Sequence, residues 1–207
     1  MRLRPWGRSG ELVTKVDGYL DYLQRNAMLW EKQALLKARI IAGDMQMGND
    51  FLEKARPHIY VATHDEVRTG VHRMKQQIES NLKQKGRKFG EVKLGAGSIR
   101  DVEFVAQYLQ LAYGGRHKQI RTFNTLDALV RLADFGLLDA HEYRVLTDGY
   151  IFLRKVEHSL QLMHYKQAHS LPKRDEELNY LARRLDFQDA AHFLTHYRKH
   201  SEEIRNV

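Results

Sequence analysis

The amino-acid sequence predicts a mainly α-helical fold: an antiparallel helical bundle with a small β remnant near the N-terminus. Apolar residues recur at intervals of three and four along most of the chain, which is the spacing of an α-helix. Only three prolines occur in 207 residues, so long helices can form without interruption. From residue 98 onward the connections are short, and short connections make consecutive helices antiparallel neighbours.

The first half of the chain predicts three helices and one strand. A helical period covers residues 12–26, and a short helix covers 47–56 and ends at Pro57. A longer and very polar helix is predicted over 64–85. The run 34–42 is apolar and ends in β-branched residues, which favours a strand, although its short length leaves a helix open.

The second half predicts helices only, each bounded by capping or glycine signals. Ser98 and Asp101 resemble a capping box at the start of the first of these helices. Thr125 is predicted to cap the second helix and Gly136 to end it. The predicted helical ranges are 99–113, 125–136, 140–167, 174–185 and 188–204.

Composition and charge limit the classes of function. The chain has no cysteine, which excludes disulfides and thiolate metal sites and favours a reducing, cytoplasmic location. No apolar run is long enough to span a membrane. The net charge of +8 suggests an anionic partner. Acidic residues are interspersed with the basic ones, however, so a solvated basic surface is favoured over a nucleic-acid interface.

One polar pattern, Arg-x-x-Glu-x-x-x-Gln, occurs on two of the predicted helices. Its members are Arg100, Glu103 and Gln107 on the first helix and Arg154, Glu157 and Gln161 on the second. Spacings of three and four place each set on one helix face, beside the apolar stripe. Half-buried charges need partners, so we expect Arg100 to meet Glu157 and Arg154 to meet Glu103. A structural clamp is favoured over a catalytic role.

Two further positions combine cations with features that suit an anion. Lys93 precedes a glycine-containing turn that leads into a helix N-terminus, a corner that could hold a phosphate. The pattern is neither a P-loop nor a dinucleotide fingerprint, and by itself a capped loop explains it. Lys37 and Arg39 would share one face of a strand, where either an anion or surface salt bridges could satisfy them.

Three histidines are spaced at intervals of four on the last predicted helix: His192, His196 and His200. Two histidines at that spacing can chelate a transition metal. No carboxylate occupies a matching position, so we expect this row to lie on the solvated flank of the helix and to hold no metal.

Four stretches of sequence together resemble a known family. They are Arg2-Leu3-Arg4-Pro5, Trp30-Glu31-x-Gln33-Ala34-Leu35, Lys93-Leu94-Gly95-x-Gly97-x-Ile99-Arg100-Asp101-Val102-Glu103-Phe104 and Phe152-Leu153-Arg154-x-Val156-Glu157-His158-x-Leu160-Gln161. They resemble the glutamine synthetase adenylyltransferase family in the same order and over essentially the whole chain. The resemblance implies residues 1–45 as the end of a nucleotidyltransferase core, which includes the β remnant, and 46–207 as a helical domain.

The resemblance implies a bifunctional enzyme with two similar halves. One half transfers AMP from ATP to a tyrosine of glutamine synthetase, and the other removes it by phosphorolysis, which yields ADP. Both halves use Mg²⁺, and a PII regulatory protein and glutamine set the balance. The related PII uridylyltransferases share part of the helical domain. The form Ile99-Arg100-Asp101 resembles the AMP-removing half.

The resemblance also implies roles for individual residues. Arg2, Arg4, Lys37, Arg39 and Lys93 would face the nucleotide or its phosphates. The family's metal-binding acids lie in a Gly-Ser-Asp-x-Asp segment and just before the Arg-Leu-Arg-Pro motif, and this sequence contains neither. We therefore expect no catalytic residue or metal ligand within the chain and no activity from the chain alone. The alternative is a helical interaction module that docks glutamine synthetase or PII without catalysis of its own.

Overall fold

The computed structural model describes residues 4–60, 63–84, 86, 90–164 and 168–207. The chain divides into two compact units. Unit 1 comprises Met1–Met74 and Ala106–Phe135, and unit 2 comprises Lys75–Val105 and Gly136–Val207. The domain boundary predicted at residue 45 lies inside unit 1 and stays a prediction.

The described residues form nine α-helices. They are α1 (Val16–Arg25), α2 (Leu29–Leu35), α3 (Met45–Ile59), α4 (His64–Gln84), α5 (Ile99–Tyr113), α6 (Thr125–Asp134), α7 (Ala140–His164), α8 (Asp175–Arg184) and α9 (Ala190–Asn206). Helices α4 and α5 contribute residues to both units. The mainly helical fold class is confirmed, and no described helix is long and apolar enough to cross a membrane.

The prediction of a strand over 34–42 is wrong. Helix α2 runs to Leu35, a turn follows at Leu36 and Lys37, and no strand forms between residues 38 and 42. A strand needs a neighbour to pair its backbone groups, and none of the described residues pairs with this segment as a strand. Leu35 and Leu36 are instead both buried in the core of unit 1, so their packing decides the local structure.

Helix α3 extends beyond its predicted end. It continues through Pro57 to Ile59, although proline lacks the N–H group that a helix interior needs. Ala55 and Ile59 are buried in the core of unit 1, and this burial offsets the missing hydrogen bond. Asp44 caps the other end of α3, where its side chain accepts a hydrogen bond from the backbone N–H of Met47.

The helices predicted in the second half are confirmed to within a few residues, apart from the end predicted at 167, because 165–167 lie outside the described residues. The cap of α6 differs from the prediction. Asn124 rather than Thr125 is the N-cap, and its side chain accepts a hydrogen bond from Asp127 N–H. Gly136 has a φ of +68° just after α6, which is the conformation that glycine favours at a helix end.

Each unit has its own apolar core. In unit 1, α1, α2 and α3 pack together around Leu23, Leu35, Ala55 and Ile59, and Leu111 of α5 joins them. In unit 2, α7, α8 and α9 pack on one another. The apolar stripe predicted for α7 supplies four fully buried side chains: Leu146, Leu153, Val156 and Leu160.

Candidate functional site

The main polar cluster of unit 2 is built around Glu157, whose residue exposure is only 1%. Its Oε1 lies 3.3 Å from Lys93 Nζ and 3.1 Å from His169 Nδ1, and its Oε2 accepts a hydrogen bond of 2.8 Å from Arg154 Nη1. His169 Nδ1 is within ion-pair distance but makes no hydrogen bond in the described residues. One buried carboxylate thus orients two permanent cations and an imidazole.

A short backbone pairing brings the loop residues of this cluster together. Glu91 and Ser170 form an antiparallel β-bridge, and the hydroxyl of Ser170 donates to Glu91 Oε2 at 2.8 Å. The N–H of Val92 donates to the carbonyl of His169 at 2.8 Å. These bonds place Lys93 and His169 side by side over Glu157. The sequence suggested only a structural histidine at His169 and did not indicate its proximity to Glu157, because the two loops are distant in sequence and no regular spacing links them.

The glycine-containing corner before α5 is closed by the protein's own groups. The N–H of Gly97 donates to Asp101 Oδ2 at 2.7 Å, and Lys75 Nζ lies 3.3 Å from the same oxygen. The hydroxyl of Ser98 donates to the carbonyl of Lys93, so the predicted reciprocal capping box is wrong. The Asp101 carboxylate occupies the position beside the helix N-terminus that a phosphate would take.

Helix α9 packs tightly against this corner. Gly97 has a φ of +63°, and a Cβ atom added there would lie 1.8 Å from the carbonyl oxygen of Ser201. Burial raises the pKa of Tyr197 in α9 to about 12; a hydrogen bond with Ser201 opposes this rise, and the negative charge of Glu91 adds to it. The loop and α9 are therefore in close contact.

The predicted cross-pairing of the two Arg-x-x-Glu helices is wrong. Each arginine pairs with the glutamate of its own helix: Arg154 with Glu157, and Arg100 Nε with Glu103 Oε2 at 3.7 Å. A separation of three residues already places both groups on one face, so neither arginine needs the other helix. The guanidinium of Arg100 also lies over the ring of Phe104.

The two glutamines of the pattern do not join these ion pairs. Gln107 is buried in unit 1, where its Oε1 accepts a hydrogen bond of 2.6 Å from Gln33 Nε2. Gln161 on α7 is half-buried. The six residues of the two patterns therefore do not form the single network that was predicted.

The cations predicted to face a nucleotide lie in different places. In unit 1, Lys37 Nζ donates to the hydroxyl of Thr125 at 2.8 Å, and the guanidinium of Arg39 lies 5.2 Å from the centre of the Phe123 ring. Lys37 therefore contacts the first residue of α6, and Arg39 contacts the segment just before it. Arg4 donates to the carbonyls of Gly7 and Arg8. Arg2 lies outside the described residues, and Lys93 belongs to the Glu157 cluster of unit 2.

The histidine row of α9 is only partly solvated, which corrects the prediction. His192 is exposed and its Nδ1 lies 2.9 Å from Asp189 Oδ1. His196 and His200 stack on each other and on Phe152, with ring centroids 4.6–5.1 Å apart. Burial lowers the pKa of His200, and the neighbouring His196 lowers it further.

Comparisons with known proteins find two family models that match this chain. The family model described as "GlnD PII-uridylyltransferase" matches residues 72–207, which is more than half of the chain. The model described as "Glutamate-ammonia ligase adenylyltransferase" matches residues 1–54. The chain belongs to the glutamine synthetase adenylyltransferase family. Its helical part matches the model of the PII uridylyltransferases.

Curated proteins similar to this chain cover most of its length. A protein of Mycobacterium avium is 42% identical over 188 residues, which cover 87% of this chain and 18% of the relative. A protein of Mycobacterium marinum is 40% identical over 208 residues, which cover 96% of this chain and 21% of the relative. A protein of Xanthomonas campestris is 39% identical over 183 residues, which cover 88% of this chain and 19% of the relative. Each is named a bifunctional glutamine synthetase adenylyltransferase/adenylyl-removing enzyme, and the chain spans about a fifth of their length.

The described residues offer no set of ligands for the magnesium ion that the family resemblance implies. No group of three or more His, Asp or Glu side chains among them could hold a metal ion. Two buried carboxylates already have protein partners: Glu157 lies beside Lys93, Arg154 and His169, and Asp101 beside Gly97 and Lys75. We therefore assign no step of the chemistry to a metal on these residues.

Proposed function

We propose that this chain is part of an enzyme that attaches AMP from ATP to a tyrosine of glutamine synthetase and removes it by phosphorolysis. The observation that carries the proposal is the order of the two family matches on one chain: residues 1–54, then 72–207. The names of the relatives support it. We assign the chain to the AMP-removing half, on the form of the Ile99-Arg100-Asp101 motif.

In this proposal the cations of unit 1 act on the nucleotide. Lys37 and Arg39 stabilise the negative charge of the phosphate groups, as cationic clamps do in phosphoryl and nucleotidyl transfer. The hydroxyl of Thr125 and the ring of Phe123 support them, because each fixes one flexible side chain. The family resemblance gives Arg2, Arg4 and Lys93 the same proposed role toward the nucleotide.

Partners and cofactors follow from the same proposal. Glutamine synthetase is the protein substrate, ATP or ADP is the nucleotide, and Mg²⁺ is bound by residues other than those described here. PII is proposed as the regulatory partner, since the helical part matches a family described by its action on PII. The reaction takes place in the cytoplasm.

A chromosomal Lys37→Ala substitution in the source organism tests the proposed half. Loss of one positioned charge slows the affected reaction roughly 10–100-fold. We expect AMP-bearing glutamine synthetase to accumulate relative to the unsubstituted strain, as measured by intact-mass spectrometry. Lys54→Ala is the matched control, because Lys54 is an exposed lysine of α3 in the same unit.

Each other outcome has a defined meaning. Accumulation of unmodified glutamine synthetase would assign the chain to the adenylylating half instead. An unchanged modification state, equal to that of the Lys54→Ala control, would contradict the proposed role of Lys37. The purified chain alone is expected to release no ADP from adenylylated glutamine synthetase and phosphate; magnesium-dependent release would contradict the assignment of the metal ligands elsewhere.

A second candidate function is docking without catalysis. Eight of the fifteen exposed large apolar side chains among the described residues lie between residues 6 and 47, and a cluster of such side chains is a property of protein-binding surfaces. They are Trp6, Leu12, Val13, Met28, Trp30, Ile41, Met45 and Met47. Pull-down of glutamine synthetase by the purified chain, lost on Val13→Asp and retained on Val207→Asp, would support docking. PII serves as the parallel probe.

A further inference from the structure

A small cavity in unit 1 is lined by apolar side chains, called the floor below, and by a polar set with two arginines, called the rim. It has a volume of about 130 Å³. The floor is formed by Leu35, Leu36, Ala38, Leu52, Ile59 and Phe123. Polar atoms come from Arg56, Tyr60, Arg121 and Thr122. The cavity therefore lies between the end of α2, helix α3 and the segment that precedes α6, all within one unit.

Arg121 carries a positive charge that no described carboxylate balances. Its Nε donates to the carbonyl of Gly114 at 2.7 Å and its Nη2 to that of Gly115 at 3.4 Å. Its guanidinium lies 4.6 Å from the centre of the Tyr60 ring. Carbonyl groups and an aromatic face fix its orientation but leave its charge uncompensated, and a partly buried cation normally has an anionic partner.

Arg56 increases the positive potential at the same rim. Its only described ion pair is with Glu53 on the exposed side of α3. Burial lowers the pKa of Arg121; Tyr60 opposes this shift, and the positive charge of Arg56 adds to it. Arg56 and Arg121 both line the cavity, and no described carboxylate forms an ion pair with Arg121.

We infer that this cavity binds a small monocarboxylate with a short aliphatic body, held by Arg121 and Arg56. The planar guanidinium group matches a carboxylate, and the apolar floor matches the aliphatic body. Inorganic phosphate would use the rim but would leave the floor empty. The volume lies below the ~300 Å³ at which pockets for drug-sized ligands begin, so a branched short-chain acid such as 3-methylbutanoate suits it.

This inference is independent of the proposed transfer reaction. Its charged residues, Arg56 and Arg121, have no role in that proposal, and of the cavity lining only Phe123 is shared with it. Its test is a binding measurement on the full 207-residue chain, so failure of the proposed enzyme activity would leave it standing.

The experiment is a titration of the ¹⁵N-labelled chain with 3-methylbutanoate, followed by NMR. We expect saturable shifts of the amides of residues 35–38 and 121–123, with a Kd on the order of 1 mM, as suits so small a ligand. The uncharged 3-methylbutanamide, acetate and inorganic phosphate are the comparison probes. Each should bind at least tenfold more weakly, because each lacks either the charge or the apolar body.

Variants decide whether the cavity residues are responsible. Arg121→Gln and Arg56→Gln should each weaken binding at least fivefold, and Ala38→Leu should block it by filling the floor. Arg116→Gln is the matched control, because it makes the same change of charge at an exposed arginine outside the cavity. Arg56 is tested separately because its side chain is partly exposed, so Arg56→Gln should leave the fold intact.

Three results would overturn the inference. If 3-methylbutanamide bound as tightly as 3-methylbutanoate, the cations would have no role in binding. If phosphate or acetate bound as tightly, the apolar floor would have no role. An unchanged affinity in Arg56→Gln and Ala38→Leu, with the wild-type spectrum retained, would place any binding elsewhere.

Discussion

Arg154 and Glu157 lie one helical turn apart on α7 and form an ion pair with 2.8 Å between Nη1 and Oε2. The other oxygen of the same carboxylate reaches Lys93 and His169. A single buried charge thus holds a helix and two loops of unit 2 together. Because the carboxylate is shared, its loss would leave the neighbouring cations facing one another, whereas the loss of one cation would leave the others paired.

The first prediction concerns this shared carboxylate. Glu157→Gln should lower the free energy of unfolding by about 2–4 kcal/mol, because it leaves Lys93 and Arg154 close together without an anion. Urea denaturation followed by circular dichroism measures the change. Glu103→Gln is the matched control in the other Arg-x-x-Glu helix, and it should cost less than about 1 kcal/mol, since its ion pair is longer and more exposed. Equal costs for the two variants would contradict the central role of Glu157.

The second prediction concerns the approach of Gly97 to α9. Gly97→Ala should destabilise the chain by about 3 kcal/mol or more, because the added methyl group meets the backbone carbonyl of Ser201 and cannot be accommodated by a side-chain movement. Gly136→Ala is the control: its φ is also positive, but nothing lies within 4 Å of the added carbon. It should cost only the conformational term of about 1–2 kcal/mol. Thermal unfolding of both variants would show whether the clash or the φ angle dominates.

The third prediction concerns acid sensitivity of the ring stack on α9. The pKa of His200 is lowered in the folded state, so the unfolded chain binds this proton more readily. The contribution of His200 to the free energy of unfolding is present above the ordinary histidine pKa of ~6.5 and is lost as the pH falls. Asp148 and Glu203 oppose the shift and Lys199 adds to it.

Urea denaturation at about pH 7.5 and about pH 5.5 would measure this loss, in a range where the carboxylates stay ionised. His200→Gln should lose less stability between the two conditions than the wild type. The exposed His141 supplies the control, because His141→Gln should follow the wild type. An identical pH dependence in all three proteins would refute the prediction.

The fourth prediction concerns the buried hydrogen bond between Gln33 and Gln107. Gln33→Leu should cost about 1–3 kcal/mol, because it leaves the carbonyl oxygen of Gln107 buried without its donor. The double variant with Gln107→Leu should recover part of that loss, since both polar groups are then gone. A double-mutant cycle by chemical denaturation gives the coupling energy. Additive costs of the two single variants would show that the pair does not act as a unit.

Helix positions were predictable where the apolar period was long. Four apolar residues at helical spacing on α7 are fully buried, and α5 begins at Ile99, directly after the predicted start signal Ser98. The segment 34–42 was not predictable, because a short apolar run suits a strand and a buried helix equally. The end of α3 was also missed, because the burial of Ile59 outweighs the local effect of Pro57.

The sequence by itself determined the helical fold class and the family, because both depend on patterns along the chain: the apolar period and the order of the motifs. Only the tertiary structure decided the partners of the charged residues. Arg100 and Arg154 pair within their own helices, Gln107 pairs with Gln33, and no carboxylate of the described residues pairs with Arg121. Such pairings depend on which distant segments come within about 3 Å, and the period of one helix carries no information on that distance.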